Sequence, residues 1–308
     1  MRYDLYFHND FDGHASAAVF LAYLKSTGDT AQFFPVDHDI KAKWEAMKFK
    51  NPSAIFDFYF HPKATFWIDH HGTTFITSKL KRQYKKTKYH QFSSKYYSCC
   101  HLVYDVLKRD FDFKPAAHFK ELIEWLDIID SARYTGPEQE IEAKDPAIQI
   151  GQFIDAARGK RKLDWLIEFL ATKPLAEIVR DKRIRTAIIK AKKERSRALD
   201  FCQKNLEVHG KVSYLDLSRT RFRQIDVAPF YLVPDLVYSV TLKKKGKVFS
   251  FSLRGNPWRR NQIKIHLGNL LCKECNGGGH QAAAGCEVGV SSKVAYKLAN
   301  KLIEYLKA

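Results

Sequence analysis

The chain has 308 residues, with 52 Lys and Arg against 34 Asp and Glu and a net charge of +18. This length provides sizeable cores for two domains, and the charge favours anionic partners such as nucleic acid, polyphosphate or acidic lipid head groups. No run approaches the roughly 18 apolar residues of a membrane span, and the start lacks the apolar stretch of a signal peptide. We therefore expect a cytoplasmic protein that is not bound to a membrane.

Strand and helix signals alternate in short units over residues 1–70. Strands are predicted at "YDLYF", "AQFFPV", "SAIF" and "ATFWI". Helices are predicted at "ASAAVFLAYL", which ends near Gly28, and at "KAKWEAMKF". Strands that alternate with helices at this spacing indicate an α/β fold with a parallel sheet and right-handed crossovers.

The middle of the chain is mainly helical. Apolar residues keep helical spacing from His118 to Asp130, and "GPEQE" then interrupts the pattern and predicts an irregular stretch. Further helices are predicted over "KLDWLIEFLAT" and over the long basic segment "AEIVRDKRIRTAIIKAKKERSRALDFCQKN". The basic helix is either a solvated connector or the lining of a path for a charged ligand.

A second strand-rich region begins near Val212. The segments "KVSYLDL", "LVYSVTLKKKGKVFSFSLR" and "GCEVGV" predict a small mixed sheet with a hairpin turn at Lys-Lys-Gly-Lys, and helices are predicted at "IKIHLGNLLCKE" and "SSKVAYKLANKLIEYLK". We expect an N-terminal domain over residues 1–180, a helical connector over 181–209 and a smaller C-terminal α/β domain over 210–308.

Three of the N-terminal strands end in polar residues. These residues are His8, Asp10 and Asp12 in "HNDFDG", Asp57 in "IFDF", and Asp69, His70 and His71 in "IDHHG". A single such residue has an ordinary explanation as a helix cap, a turn residue or a buried histidine. The carboxyl ends of parallel strands meet at one sheet edge, so the three segments should converge there. The converging carboxylates would repel each other unless cations held them, and this donor set suits two divalent ions such as Mn²⁺.

The stretch "CKECNGGGHQAAAGC" can be read in two ways. As a zinc knuckle it would use Cys272, Cys275, His280 and Cys286 as ligands, and the chain would be a non-catalytic nucleic-acid-binding protein. The final spacing is one residue too long for a knuckle, and helical or strand packing explains Cys275 and Cys286. As a glycine loop, the stretch would present backbone N–H groups to an anion.

The six cysteines lie mostly in apolar helical surroundings, including the adjacent pair Cys99 and Cys100. This arrangement is typical of reduced core thiols rather than of a disulfide framework. We therefore assign the chain to the reducing cytoplasm.

The segments "HNDFDG", "DFYF" and "WIDHHG" together resemble the motif series of the DHH phosphoesterase superfamily. "SLRGNPW" and "NGGGHQAAAG" are similar to its C-terminal DHH-associated domain. The resemblance covers nearly the whole chain in the expected order. It implies that residues 1–180 form the catalytic DHH domain and that residues 210–308 form the DHH-associated domain, which binds substrate.

The resemblance also implies roles for individual residues. His8 and Asp10 would hold one metal ion, Asp12 and His70 would hold the other, and Asp57 would bridge the two ions. Asp130 in "IIDSARY" would complete the site of the second ion, and Asp127 is the alternative residue for that position. His71 would face the phosphoryl oxygens or protonate the leaving group, and Asp69 would support the histidines. Substrate would be bound by Arg254, Gly277, Gly278, Gly279 and His280.

The implied activity is hydrolysis of phosphodiester or phosphomonoester bonds with two Mn²⁺ ions, for which Mg²⁺ or Co²⁺ could substitute. The length leaves no room for an additional oligonucleotide-binding domain, and the charge favours short single-stranded oligonucleotides or nucleotide phosphates, as in small oligoribonucleases and pAp phosphatases. Exopolyphosphate and cyclic dinucleotides are the alternative substrates. A homodimer is left open.

Overall fold

The computed structural model describes residues 1–159 and 162–307, and the chain divides into two compact units. Unit 1 comprises Met1–Arg133 and Lys144–Ile188, and unit 2 comprises Tyr134–Ala143 and Ile189–Ala308. The predicted α/β class, with a parallel sheet and a separate mixed sheet, is confirmed.

Unit 1 is built on a five-stranded sheet in which all strands are parallel. Its strands are β1 (Arg2–His8), β2 (Thr30–Val36), β3 (Ser53–Phe56), β4 (Phe66–Asp69) and β5 (His90–Phe92). The strand order is β2-β1-β3-β4-β5. The chain therefore changes direction across the sheet between β1 and β3, which is where ligands bind in open α/β sheets.

In chain order, ten α-helices of the described residues fall between the first strand of this sheet and the strands of unit 2. They are α1 (Phe11–Ser26), α2 (Lys41–Trp44), α3 (Ser78–Gln83), α4 (Cys99–Asp110), α5 (His118–Asp130), α6 (Pro137–Glu142), α7 (Pro146–Ala157), α8 (Asp164–Thr172), α9 (Leu175–Ile178) and α10 (Lys182–Asn205). Of these, α6 belongs to unit 2 and the division between the units falls within α10. The first two turns of α1 are buried on all sides, and small residues such as Ala15, Ala17 and Ala18 allow its neighbours to approach closely.

Unit 2 contains a six-stranded sheet. Its strands are β6 (Glu207–His209), β7 (Val212–Asp216), β8 (Tyr238–Lys245), β9 (Val248–Gly255), β10 (Gly278–Gly279) and β11 (Ala283–Val288), and its remaining helices are α11 (Ala228–Leu232), α12 (Leu267–Cys275) and α13 (Ser292–Lys307). The order is β10-β11-β9-β8-β7-β6, with β7 and β8 parallel and the other pairs antiparallel. Alternating residues Phe249, Phe251 and Leu253 of β9 are buried in the core of this unit, as period-two patterning predicts.

Three sequence-based element predictions need correction. The segment "GPEQE" is helical: Pro137 occupies the first turn of α6, and acidic residues there favour the positive end of a helix. The long basic helix is interrupted before α10, because Asp181 accepts the backbone N–H of Arg183 and starts a new helix. The helix predicted at "KAKWEAMKF" is limited to the four residues of α2.

Two cysteines depart from the expected pattern of reduced core thiols. Cys275, at the end of α12, forms a disulfide with Cys286 of β11, with 6.4 Å between their Cα atoms. Each thiol packs as predicted, but the contact that brings them together joins a helix to a strand, and neither element's own periodicity predicts it. Cys99, Cys100 and Cys202 are free and buried, and Cys272 is free and exposed.

Within residues 1–159 and 162–307, none of the helices combines the length and the apolar character needed to cross a membrane.

Candidate metal centre

Polar residues gather where three adjacent parallel strands of unit 1 end. β1 ends at His8, Asp57 follows the last residue of β3, and β4 ends at Asp69. Because β1, β3 and β4 are neighbours in the sheet, their carboxyl ends bring the three motifs together. The predicted convergence therefore occurs, and it occurs at the switch point of the sheet.

The turn from β1 into α1 fixes the first motif. Asp10 is the N-cap of α1 and accepts the backbone N–H of Gly13 at 3.0 Å. A Cβ atom on Gly13 would lie 2.0 Å from the carbonyl oxygen of His8. Only glycine fits there, so Gly13 allows the helix to start directly beneath His8 and to hold Asp12 within its first turn.

Asp57 combines a strained backbone with an unpartnered carboxylate. Its φ is +57°, in the left-handed region, and its side chain is 1% exposed. Neither carboxylate oxygen has a hydrogen-bond partner among the described residues. A buried ionised group without a partner is unstable unless a cation neutralises it. Strain and an orphaned carboxylate at one residue are features of a functional site.

Asp69 organises the two histidines that follow it. Its Oδ1 accepts the backbone N–H groups of His70 at 2.6 Å and His71 at 3.1 Å, and lies 3.0 Å from Nδ1 of His71. These contacts place Asp69 beside both histidines, and its supporting role stays a prediction. The His71 ring is 37% exposed and faces solvent, whereas that of His70 is buried.

His70 is oriented for ligation through one ring nitrogen. Nδ1 lies 3.1 Å from the carbonyl oxygen of Tyr96, which as an acceptor requires the proton on Nδ1. Nε2 therefore carries a lone pair, and it is buried without a hydrogen-bond partner among the residues described. The nearest carboxylate oxygens belong to Asp130 at 3.4 Å and to Asp12 and Asp57 at 3.7 Å. A carbonyl behind the ring and a lone pair in front are the usual arrangement of a metal-binding histidine.

Asp12 links the metal cluster to the start of α4. Its two carboxylate oxygens accept the backbone N–H groups of Cys99 at 2.6 Å and Cys100 at 2.8 Å. The positive end of α4 thus partly compensates this buried carboxylate.

The ligand atoms form overlapping groups within unit 1. Atoms within 4.8 Å of one another are found in three groups, which are His8, Asp10 and Asp57; Asp12, His70 and Asp130; and Asp57, Asp69, His70 and His71. The first two groups are the two ligand sets implied by the sequence motifs. Their carboxylate and imidazole donors, together with the orphaned atoms of Asp57 and His70, fit a pair of divalent ions.

The electrostatics of the metal-free cluster also indicate a need for cations. Burial and the neighbouring charge of Asp57 raise the pKa of Asp12 well above its usual range. The same two causes raise the pKa of Asp130. Carboxylates that resist ionisation at neutral pH are expected where several share a buried site, and bound cations reverse that tendency.

Two histidines hold protons in this cluster. Burial opposes their protonation, but the neighbouring carboxylates of Asp10 and Asp57 raise the pKa of His8 to about 10. Burial also opposes protonation of His71, but the neighbouring carboxylates of Asp57 and Asp69 raise its pKa to about 12. The excess of carboxylates is therefore large enough to keep both imidazoles charged when no metal neutralises it.

Asp127 and Asp130 of α5 have different surroundings. Asp130 faces His70, whereas the oxygens of Asp127 lie 2.7 Å from Oγ of Ser98 and 2.8 Å from Nδ1 of His101. Asp127 thereby ties α5 to the first turn of α4. This geometry favours Asp130 over Asp127 as the aspartate of the second ligand group.

His38 also lies at the cluster, and the sequence reasoning missed it. It follows β2 by two residues, and the centroid of its ring is 4.8 Å from that of His8. The signal was available, because "FFPVDHD" ends a strand in Asp and His as the other motifs do.

The predicted substrate-binding residues lie in unit 2. Arg254 uses its guanidinium to contact the carboxylate of Asp226, through Nε and a terminal nitrogen, both at 2.9 Å. A Cβ on Gly279, whose φ is +139°, would lie 2.4 Å from the carbonyl oxygen of Ala283, so packing requires glycine there. The N–H of His280 donates to the carbonyl of Ala283. Substrate binding by Arg254, Gly277, Gly278, Gly279 and His280 stays a prediction.

No protein-family model matches the chain, and no curated protein matches it. Solved structures do. A pGpG-specific phosphodiesterase, PggH from Vibrio cholerae, superimposes with a TM-score of 0.77 at 19% identity over 99% of both chains. An exopolyphosphatase-related protein from Bacteroides fragilis gives 0.52 at 16% identity, over 100% of this chain and 94% of that one. RecJ in complex with Mn²⁺ from Thermus thermophilus gives 0.60 at 15% identity, over 99% of this chain and 52% of RecJ.

These structures share one architecture with the present chain. The likeness therefore shows the fold, and it includes a structure described as a DHH domain, with a TM-score of 0.62 at 15% identity over 100% of this chain and 87% of that one.

Proposed function

We propose that the protein is a metal-dependent phosphoesterase that hydrolyses phosphodiester or phosphomonoester bonds of short oligonucleotides or nucleotides. The observation that carries the proposal is the pair of ligand groups, His8–Asp10–Asp57 and Asp12–His70–Asp130, at the switch point of a parallel sheet. Six donors in two adjoining groups have no role in a protein that only binds nucleic acid.

The residues of the two groups would hold one divalent ion each, with Asp57 between them. The ions would lower the pKa of a coordinated water and neutralise the charge that develops on phosphorus during an in-line displacement. Mn²⁺ is the proposed metal, because borderline ions accept both imidazole and carboxylate ligands.

The remaining residues have roles that follow from their contacts. His71 is partly exposed at the edge of the cluster, so its ring would donate to a phosphoryl oxygen or to the leaving oxygen of the substrate. Asp69 would keep that ring in place through the contact with Nδ1. The buried Tyr96 carbonyl would hold His70 in the tautomer that leaves Nε2 free.

A short linear nucleotide with a 5′-phosphate is the proposed substrate. The net charge of +18 supports an anionic substrate. The similarity to a structure described as a pGpG-specific phosphodiesterase supports a dinucleotide. We therefore propose pGpG and other 5′-phosphorylated RNA dinucleotides as the preferred substrates. The alternative substrates are pAp, a cyclic dinucleotide and polyphosphate.

The experiment is to incubate the purified chain with each substrate in the presence of Mn²⁺, Mg²⁺ or Co²⁺, and to resolve the products by chromatography. A chelated sample provides the control. Release of mononucleotide from the linear dinucleotide, faster than any other reaction and lost on chelation, is the expected result. If phosphate is released from polyphosphate and no other substrate reacts, the proposed metal centre stands and the proposed substrate is wrong. Inactivity with every substrate and metal would show that the proposed function is wrong.

A further inference from the structure

His38 lies at the edge of the metal cluster, on a strand that the recognised motifs do not use. β2 ends at Val36, and His38 begins a short 3-10 helix, His38–Ile40. Its ring packs against Phe58 with the centroids 5.7 Å apart and the planes at 14°, and its centroid is 4.8 Å from that of His8. The ring is therefore held in a defined orientation beside one ligand group.

The segment that carries His38 is attached to the first motif. The backbone N–H of Asn9 donates to the carbonyl of Val36 at 3.0 Å, and its side-chain amide donates to the carboxylate of Asp37 at 3.0 Å. Asn9 stands between His8 and Asp10, so both hydrogen bonds couple the position of His38 to that of the motif residues. These two hydrogen bonds are the structural role of Asn9 within the motif.

The fold leaves the polar atoms of His38 unused. The residue is exposed, and within the described parts of the chain neither ring nitrogen has a hydrogen-bond partner. A histidine whose only purpose is packing would be expected to be buried or to use a ring nitrogen, as His90 does with the carbonyl of Ala64.

His38 is also outside the three groups whose ligand atoms lie within 4.8 Å of one another. It is nevertheless next to the cluster, because its ring centroid lies 4.8 Å from that of His8. A residue at this position is better placed to contact a substrate bound at the cluster than to coordinate a metal ion in it.

We propose that His38 is a substrate-binding residue, whose ring nitrogen donates a hydrogen bond to a phosphoryl oxygen beside the His8–Asp10–Asp57 group. This inference rests on the proposed function and adds a residue to it. In the sheet, β2 and β4 lie on opposite sides of β1 and β3. His38 and His71 therefore flank the carboxylate centre, and a phosphoryl group at the centre would receive an imidazole from each side.

The test compares His38→Ala and His38→Gln with wild type and with His118→Ala. His118 is a unit 1 histidine outside the cluster whose ring contacts the carbonyl of Leu170. We expect both His38 variants to lose about 10- to 100-fold in kcat/KM for a 5′-phosphorylated RNA dinucleotide, as loss of a hydrogen bond to a charged group predicts. The His118 variant should retain wild-type kcat/KM.

Mn²⁺ binding, measured by calorimetry, separates substrate binding from metal ligation. The Mn²⁺ affinity of His38→Ala should equal that of wild type. A parallel loss of Mn²⁺ affinity would make His38 a metal ligand and overturn the proposal, as would unchanged kcat/KM in both His38 variants.

A binding measurement keeps the inference testable even if the proposed substrates are wrong. Inorganic phosphate is titrated into the protein loaded with Mg²⁺, and its affinity is measured by calorimetry. Weaker phosphate binding in His38→Ala than in wild type and His118→Ala supports the inference without any turnover. Equal phosphate affinity in all three overturns it, whereas failure of the proposed function would appear as inactivity of the wild-type protein.

Discussion

Oδ1 of Asp57 and Nε2 of His70 lie 3.7 Å apart in the interior of unit 1, and neither atom has a hydrogen-bond partner among the described residues. The distance between these two buried atoms is longer than a hydrogen bond, and it is too short for a water molecule to lie between them. A shared cation accounts for both, since it would bind the carboxylate oxygen and the imidazole lone pair together.

Asp57→Asn should therefore abolish Mn²⁺ binding without lowering the stability of the metal-free protein. Removal of one carboxylate relieves the repulsion that Asp57 exerts on Asp12 and Asp130, and asparagine also accepts the left-handed backbone, so the melting temperature of the metal-free protein should be equal or higher. The rise in melting temperature caused by Mn²⁺ should be lost, and turnover should fall by about 1000-fold or more. Asp112→Asn is the matched control, because Asp112 has a φ of +50° and an exposed carboxylate. An intact Mn²⁺ effect in Asp57→Asn would contradict the metal assignment.

Asp130→Asn should weaken Mn²⁺ binding more than Asp127→Asn. Asp130 faces His70 in a ligand group, whereas Asp127 contacts Ser98 and His101. We expect at least about a 100-fold loss of Mn²⁺ affinity for Asp130→Asn, above the range for residues that act through a ligand. Calorimetric titration of both variants with Mn²⁺ measures the difference, and the reverse ranking would exchange the two roles.

The contact between His101 and Asp127 predicts a pH-dependent contribution to stability. The hydrogen bond to Asp127 raises the pKa of His101 above its ordinary value of 6.5. Its stabilisation is complete below pH 6.5 and is lost as the pH rises through the folded-state pKa. Chemical denaturation of wild type and His101→Gln between pH 5.5 and 8.5 should show a smaller loss of stability with rising pH in the variant. Equal slopes would mean that the contact contributes nothing.

Gly13→Ala should disrupt the start of α1. The new Cβ would overlap the carbonyl of His8, so the turn must open and His8 must move away from Asp10. We expect the free energy of unfolding to fall by about 1–3 kcal/mol, as for other overpacked sites, and Mn²⁺ affinity to fall with it. Gly289→Ala is the control, because a Cβ there meets nothing within 4 Å. Wild-type stability in Gly13→Ala would show that the turn is more adaptable than its geometry indicates.

The pairing of Cys275 with Cys286 excludes a four-ligand knuckle at this stretch and leaves Cys272 as an exposed thiol. Alkylation without reductant, followed by peptide mass spectrometry, should modify Cys272 and recover the Cys275 and Cys286 peptides as a linked pair. Cys272→Ser should bind the same amount of zinc as wild type and should change the free energy of unfolding by less than about 0.5 kcal/mol. If Cys272→Ser bound less zinc than wild type, the zinc-knuckle interpretation of this stretch would be supported instead.

The strands and the residues at their ends were predictable, because each is encoded locally. Hydrophobic runs define β1, β3 and β4, and a motif residue follows each run directly, so the parallel arrangement brings these residues together. Helix α5 was predicted with its observed limits, His118–Asp130, from apolar spacing alone. The helix α6 was missed because its six residues have a capping signal without an apolar pattern.

Sequence by itself determined the residues of the candidate metal centre that follow the strands: the segments "HNDFDG", "IFDF" and "IDHHG" specify which residue types reach one edge of the sheet. Only the tertiary structure decided which of Asp127 and Asp130 faces His70, that His38 joins the cluster from β2, and that Cys275 meets Cys286. The reason is physical. Residues three apart on a helix share nearly the same face, so its rotation against the sheet chooses between them, and contacts between distant segments leave no trace in local periodicity.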